Sequence, residues 1–224
     1  TADKRGLTKC RHCGYSIGTP PRLNKSVQPT INDVIVVTSL SMSPRHLGRQ
    51  ATCLESWKRF GLHVVSVNSQ EEIDCLKPIY PQVSMWWSVF EKSQAFSNPT
   101  PKITSMASIA SVLNVPCMIL NSDIEIYGDQ QSLRNYLVDL DKTLVGCVRH
   151  NYHETLATAD REPYGIDGYI ISPELAKEIP DYEFCIGRPG WDYWLPLHFK
   201  RKNYNIRLIG EPLFFHKMHP MNWN

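Results

Sequence analysis

The 224-residue sequence contains no apolar run approaching the ~20 residues that a membrane-spanning helix requires. The opening stretch, Thr1 to Gly6, is polar and lacks the hydrophobic region of a signal peptide, so a soluble chain is expected. Neither sign of charge dominates: 24 Lys and Arg face 22 Asp and Glu, and a net charge of +2 is too weak for a nucleic-acid binder. Glycine is sparse, 12 residues in all, and no Gly-any-Gly-any-any-Gly follows any apolar run, which excludes a dinucleotide oxidoreductase fingerprint. The segment Thr38 to Ser43 has no glycine at all, which argues against a nucleotidyltransferase, whose phosphate loop would follow the first strand there.

Cysteine is present but unpaired in pattern. Seven residues, an odd number, are spread along the chain, often inside apolar runs, and read as free thiols of a reducing compartment, hence a cytoplasmic location. Cys10 and Cys13 flank His12 at the spacing of a zinc ribbon, but no second pair follows to complete one.

What the sequence does have is a folded-domain composition, 42% hydrophobic, in a chain long enough to bury a core without a disulfide or metal staple. Residues 1–30 lack apolar periodicity and read as an N-terminal arm. Val34 to Thr38 is a continuous β-branched run, as expected of a strand buried on both faces. Ser43-Pro44 then opens a helix carrying Leu47, Ala51, Leu54 and Trp57, which stops at Gly61. His63 to Val67 is a second strand, and Ser69 with Glu72 predicts a capped helix. Further strands are expected at Val83–Trp87, Cys117–Leu120, Leu144–Val148, Gly168–Ser172 and Ile206–Ile209. Further helices are expected at Ile103–Asn114, Leu133–Leu140, from Pro173, and from Trp191 despite Pro196. Strands alternating with helices predict an α/β domain with a mostly parallel central sheet, whose ligands would sit outside the strands' carboxyl ends.

The polar cluster Asn121-Ser122-Asp123-Ile124-Glu125 lies at such an end. Oxygen ligands there can hold a divalent cation, and the cation can neutralise a diphosphate. This arrangement resembles the GT-A glycosyltransferases, whose Asp-any-Asp motif follows a hydrophobic strand. The resemblance extends through most of residues 31–219. It implies a single GT-A-like domain over 31–224, with a Rossmann-like nucleotide-sugar half at 31–130 and a smaller acceptor half at 131–224. It also implies metal-assisted transfer of a sugar from a nucleotide-diphosphate donor to a saccharide or other hydroxyl acceptor, with Mn²⁺ or Mg²⁺ as cofactor.

Under the resemblance, Asp123 is the main metal ligand and Asn121 faces the ribose or a metal-bound water. Asn121 is a neutral residue where the family usually has a carboxylate, so Asn121→Asp reads as a tolerated change. Strand alternation would place Glu125 on the same face as Asp123, restoring two acids. His216, after the apolar run Leu213 to Phe215, would close the metal shell, with His219 in reserve. In Gly187-Arg188-Pro189-Gly190-Trp191-Asp192 the glycines let a loop pass close to a sugar, Trp191 or Trp194 can stack on it, and Asp192 can take the acceptor's proton. Asp167, before Gly168, would face the donor sugar or the acceptor. Thr38, Ser39 and Asn68 stand at strand ends where the fold holds base and ribose, and Arg45, Arg49 and Lys102 are cations available to phosphate. A non-catalytic carbohydrate- or nucleotide-sugar-binding domain of the same fold is the alternative.

Overall fold

Apolar β-branched runs become the centre of the sheet. The computed structural model describes residues 33–89, 93 and 100–219, together with the backbone of two short paired strands, β1 (Thr8–Lys9) and β2 (Ser16–Ile17). Cys10, His12 and Cys13 lie outside the described residues. Beyond β2 the order is β3 (Ile35–Thr38), α1 (Pro44–Arg59), β4 (His63–Asn68), α2 (Gln70–Leu76), β5 (Met85–Ser88), α3 (Ile103–Leu113), β6 (Cys117–Leu120) and β7 (Ile124–Ile126). There follow α4 (Gln130–Arg134), β8 (Thr143–Tyr152), β9 (Asp160–Ile171), α5 (Pro173–Lys177), α6 (Trp191–Arg201) and β10 (Asn205–Lys217).

Eight strands form one sheet in the order β5-β4-β3-β6-β9-β8-β10-β7. The first four run parallel, as expected. The expectation of a mostly parallel sheet is corrected in the other half: β9 is antiparallel to both β6 and β8, β8 and β10 are parallel, and β7 closes the edge antiparallel to β10. The reason is that β8 and β9 follow one another through a short connection, which antiparallel strands allow and parallel ones do not. The three late strands also outrun their apolar cores. Arg149 and Asn151 in β8 and Glu162 in β9 interrupt the hydrophobic pattern, and the β8–β9 register shifts between Val148 and His150, where Arg149 lies, before pairing resumes at His150–Arg161.

Alternate residues of the central strands feed two cores. Val36, Met118 and Leu120 pack with Leu54 and Trp57 of α1 on one face. Val37, Cys117 and Ile119 pack with Ile103 and Met106 of α3, Leu175 of α5 and Leu195 and Phe199 of α6 on the other. The capping box is present as read: Ser69 Oγ accepts from Glu72 N–H, and Glu72 accepts from Ser69 N–H.

The helix expected at Leu133–Leu140 is confined to Gln130–Arg134, and the chain continues in turns. Leu133, Tyr136, Leu137 and Leu140 are all buried as helical spacing suggests. Asp139 nevertheless adopts φ 52°, and the Arg207 guanidinium donates to the carbonyls of Tyr136 and Val138, both at 2.9 Å. A side-chain cation thus satisfies carbonyls that a longer helix would have used internally.

Two contacts from α1 fix β7, and with it the turn that carries Asp123. The Trp57 indole donates to Ile124 O at 2.7 Å, and Ser56 Oγ accepts from Ile126 N–H at 3.0 Å. Trp57→Phe keeps the six-membered ring but deletes the pyrrole half with its N–H, orphaning a buried carbonyl. Urea denaturation should show a loss of about 1–3 kcal/mol.

Candidate functional site

The parallel strands β3, β4 and β6 deliver their carboxyl ends to one edge, and the chain leaving β6 turns sharply there. Asn121 and Asp167 face each other across the β6–β9 pair, next to the aligned Leu120 and Gly168. Asn121 N–H donates to Asp167 O at 2.9 Å, and its side-chain Nδ2 donates to Asp167 Oδ1 at 2.7 Å. Arg149 of β8 reaches the other oxygen, Oδ2, at 2.9 Å. Gly165 makes room for that reach: a Cβ there would fall 2.7 Å from Arg149 Nε and 2.6 Å from Glu162 Cγ. Burial pushes the Asp167 carboxyl up, Arg149 pulls it back, and nearby Asp123 adds to the rise.

The neutral residue at position 121 therefore has a defined use that sequence reading missed. Asn121 is an amide donor to the Asp167 carboxylate, while its own Oδ1 has no hydrogen-bond partner among the described residues. Asn121→Asp, read from sequence as tolerated, would set two carboxylates in hydrogen-bond contact. We expect a loss of about 1–3 kcal/mol in urea denaturation rather than neutral behaviour.

Asp123 occupies the turn before β7 and faces two imidazoles. His216 Nε2 and His219 Nε2 each lie 3.5 Å from Asp123 Oδ2, and one ligand atom from each residue falls within 4.8 Å of the others. Burial alone would raise the Asp123 carboxyl, but the two histidines outweigh it and hold it well below the usual carboxylate range. The Asp123 side chain keeps 33% of its surface open to solvent, so the group is reachable. His216 sits on β10, where Phe215 and His216 pair with Glu125 and Ile124 of β7. His219, the reserve in the sequence reading, is a full member of the group, one helical-turn spacing beyond His216 but past the strand end.

Glu125 is not a member. Because β7 begins at Ile124, Asp123 belongs to the turn, and strand alternation does not carry from it to Glu125. The Glu125 carboxylate is buried and accepts from the Tyr127 hydroxyl at 2.6 Å and from the Tyr152 hydroxyl. Burial, then Glu125 itself, pushes the Tyr127 phenol up to about 12.

Several donor-site expectations are redirected in the same way. Trp191 is 1% exposed and packs edge-on against Tyr169, so it is a core residue rather than a stacking platform. Trp194 stacks on Phe184 and His198. Lys102 pairs with Glu183 at 2.7 Å and Asp181 at 3.4 Å. Asn68 is fully buried. Its Oδ1 accepts from Ser66 Oγ at 2.7 Å, and its Nδ2 donates to Leu40 O at 2.8 Å, so it ties the loop after β3 to β4. Thr38 is buried, and Ser39 is half-buried beside it, accepting from Asn68 Nδ2 at 3.5 Å. Arg45 is exposed and Arg49 half-buried on the first turns of α1. His46, between them, feels both Arg49 and Asp123, and burial with Arg49 lowers its imidazole.

Gln50 is the organiser that sequence reading missed. Its Oε1 accepts from Ser41 N–H at 2.7 Å and from Ser122 Oγ at 3.3 Å, while its Nε2 donates to Ser41 O and to the Tyr80 hydroxyl, both at 3.0 Å. The signal was a lone amide on the apolar stripe of α1, between Leu47 and Leu54.

Asp192 stands in the first turn of α6, as expected. Gly187 and Gly190 adopt φ 68° and 106°, positive values that favour glycine. Gly190 N–H donates to Asp192 Oδ1 at 3.1 Å. Pro196 has no N–H for the Asp192 carbonyl four residues earlier, and the Tyr169 hydroxyl donates to that carbonyl instead. This substitution lets a proline sit inside α6 and anchors its first turn to β9. Burial raises the Asp192 carboxyl, against the amides of Gly190, Asp192 and Tyr193 and the more distant Arg149.

Comparison with protein-family models and with curated proteins finds no match to the chain. Among the described residues no helix is long and apolar enough to cross a membrane. The five described cysteines, Cys53, Cys75, Cys117, Cys147 and Cys185, are free thiols, and all but Cys75 are buried.

Proposed function

We propose that the chain is a metal-assisted glycosyltransferase of the GT-A type, moving a sugar from a nucleotide-diphosphate donor to a hydroxyl acceptor with inversion. The observation that carries this reading is the convergence of His216 Nε2 and His219 Nε2 on Asp123 Oδ2, each at 3.5 Å, beside the carboxyl ends of the parallel strands. Three ligands about 2.1 Å from a common ion are about 3.0 Å apart at neighbouring octahedral positions and about 3.4 Å apart in a tetrahedron, so the two 3.5 Å edges lie close to what one first-row divalent ion would draw together. Two imidazoles and one carboxylate suit Mn²⁺ better than Mg²⁺, which prefers oxygen ligands throughout. When bound, the ion supplies positive charge to the departing diphosphate.

The chain's own groups supply the rest. The sixteen-residue helix α1 begins near this site, where His46 feels both Asp123 and His219, and Arg45 and Arg49 on its first turns favour phosphate oxygens. Asp192 takes the proton from the acceptor hydroxyl as that oxygen bonds to the sugar's anomeric carbon. The bond from that carbon to the diphosphate oxygen breaks, and the diphosphate leaves with the electron pair. Asp167 is the weaker candidate for the base, because both of its oxygens are already engaged by Asn121 and Arg149. Free thiols fit a reducing compartment such as the cytoplasm.

Release of nucleoside diphosphate from a panel of nucleotide sugars, with Mn²⁺ and a saccharide acceptor, tests the proposal. Turnover that requires both metal and acceptor is expected. Tight donor binding with no release across the panel would instead mark a non-catalytic nucleotide-sugar-binding domain.

A further inference from the structure

We infer that Asn151 and Glu162 form a positioning relay that fixes the proton of His216 on Nδ1 and turns its Nε2 lone pair toward Asp123. The inference rests on reading Asp123, His216 and His219 as a metal site.

The relay crosses three neighbouring strands. Asn151 of β8 is the register partner of His216 on β10 and lies one residue from the His150–Arg161 pair that joins β8 to β9. Asn151 Nδ2 donates to Glu162 Oε2 at 3.1 Å. A carboxylate only accepts, so this contact decides which end of the Asn151 amide is NH₂. The opposite end, Oδ1, lies 3.3 Å from His216 Nδ1. An amide oxygen also only accepts, so Nδ1 must carry a hydrogen. In the neutral ring Nε2 is then a bare lone pair, and it points at Asp123 Oδ2, another acceptor, 3.5 Å away.

Two acceptors facing one another are repulsive unless a cation lies between them. His219 Nε2 stands at the same 3.5 Å from the same oxygen, so without metal a proton on an imidazole bridges to Asp123 and holds its carboxyl low, and a divalent ion that displaces that proton meets three ligand atoms at once. Without the relay, the His216 ring could place its proton on Nε2 and donate to Asp123, closing the site to metal. Glu162 touches none of the three ligands by any contact described above, yet it dictates the tautomer of one of them through Asn151. Outer hydrogen bonds of this kind orient metal-binding histidines generally, and their loss typically costs 10–100-fold in affinity.

Calorimetric titration of the full chain with Mn²⁺ alone tests the relay. Asn151→Leu should weaken binding by about 10–100-fold. Glu162→Leu should weaken it comparably, because the Asn151 amide is then free to turn its NH₂ toward His216. Glu162→Gln, whose Oε1 can still accept from Asn151, should stay within about threefold of wild type, well inside the range expected for a lost outer partner. Thermal melts without metal establish that each variant is folded, and Glu162→Leu carries the test should Asn151→Leu not fold. Unchanged Mn²⁺ affinity in Glu162→Leu overturns the relay and leaves the metal reading intact. Failure of the wild-type chain to bind Mn²⁺ overturns both.

Discussion

Asp123→Ala should abolish both Mn²⁺ binding and sugar transfer while leaving the domain folded. The carboxylate is the only acid of the three-residue group, and Asp123 Oδ2 is the atom on which His216 Nε2 and His219 Nε2 both converge. Its removal leaves two imidazoles without a common partner. The loss of affinity should exceed the 10–100-fold typical of an outer partner, because a direct ligand is deleted. Stability should fall modestly, by about 1–2 kcal/mol, because the pairing with His216 and His219 that holds the carboxyl low is lost, a loss that solvent screening limits since the side chain lies in a turn and is a third exposed. What holds the turn in place lies elsewhere, in Trp57, Ser56 and Gln50. Calorimetry with Mn²⁺, a nucleotide-release assay and a urea titration on the same sample separate these effects. Retained turnover would end the metal assignment, and a large drop in stability would mean the turn depends on Asp123 itself.

The contrast between Asp123 and Glu125 shows where the sequence stops being readable. The position of the acidic cluster at a strand end was legible, because Cys117 to Leu120 is an uninterrupted apolar run and the polar residues start at once. Which acid faces the site was not. That depended on β7 starting at Ile124, one residue after Asp123, and on Tyr127 and Tyr152 converging on Glu125 from its own strand's end and from β8. The same holds for Trp191, Asn68 and Lys102. Each lies near the edge where sequence placed it, but each is spent on a partner distant in sequence: Tyr169, Leu40 and Glu183. Chain order predicts neighbourhood, and only tertiary packing assigns the partner.

Local chemistry fared better where the backbone itself makes the demand. Ser69 and Glu72 signal a helix start because both groups of the cap lie within four residues. Gly187 and Gly190 signal a loop with two positive-φ positions, a conformation that favours glycine. The mixed half of the sheet was hidden for a different reason: β8, β9 and β10 run on into polar residues beyond their apolar stretches, so a continuous-run criterion recovers only the start of β8, the end of β9 and the start of β10. Asn151 and Glu162 lie in those unrecognised extensions, as does Arg149.

Asp192→Asn is the second variant expected to have a large effect, and it bears on mechanism rather than on metal. The amide keeps the size of the carboxylate and can still accept from Gly190 N–H, so α6 should start as before. Loss of the base should lower turnover by about 10²- to 10⁴-fold. Donor affinity measured by calorimetry should hardly move, because the proposed partner of Asp192 is the acceptor hydroxyl. The pH dependence supplies an independent check. Burial raises the Asp192 carboxyl above its ordinary value, so the wild-type rate should fall as pH drops through that raised value, and the residual rate of the variant should lack this limb. Stability should move the opposite way. A group whose folded pKa exceeds its unfolded one destabilises the fold as pH rises from the ordinary carboxylate value through the raised value, and the penalty stays constant above. The variant, always neutral, escapes it and should be at least as stable as wild type at pH 7, the two converging in acid. A collapse of donor affinity with turnover largely retained would place Asp192 in the donor site instead. Asp167 would then become the residue to test, and a retaining reaction, which needs no base at this position, would replace the inverting one.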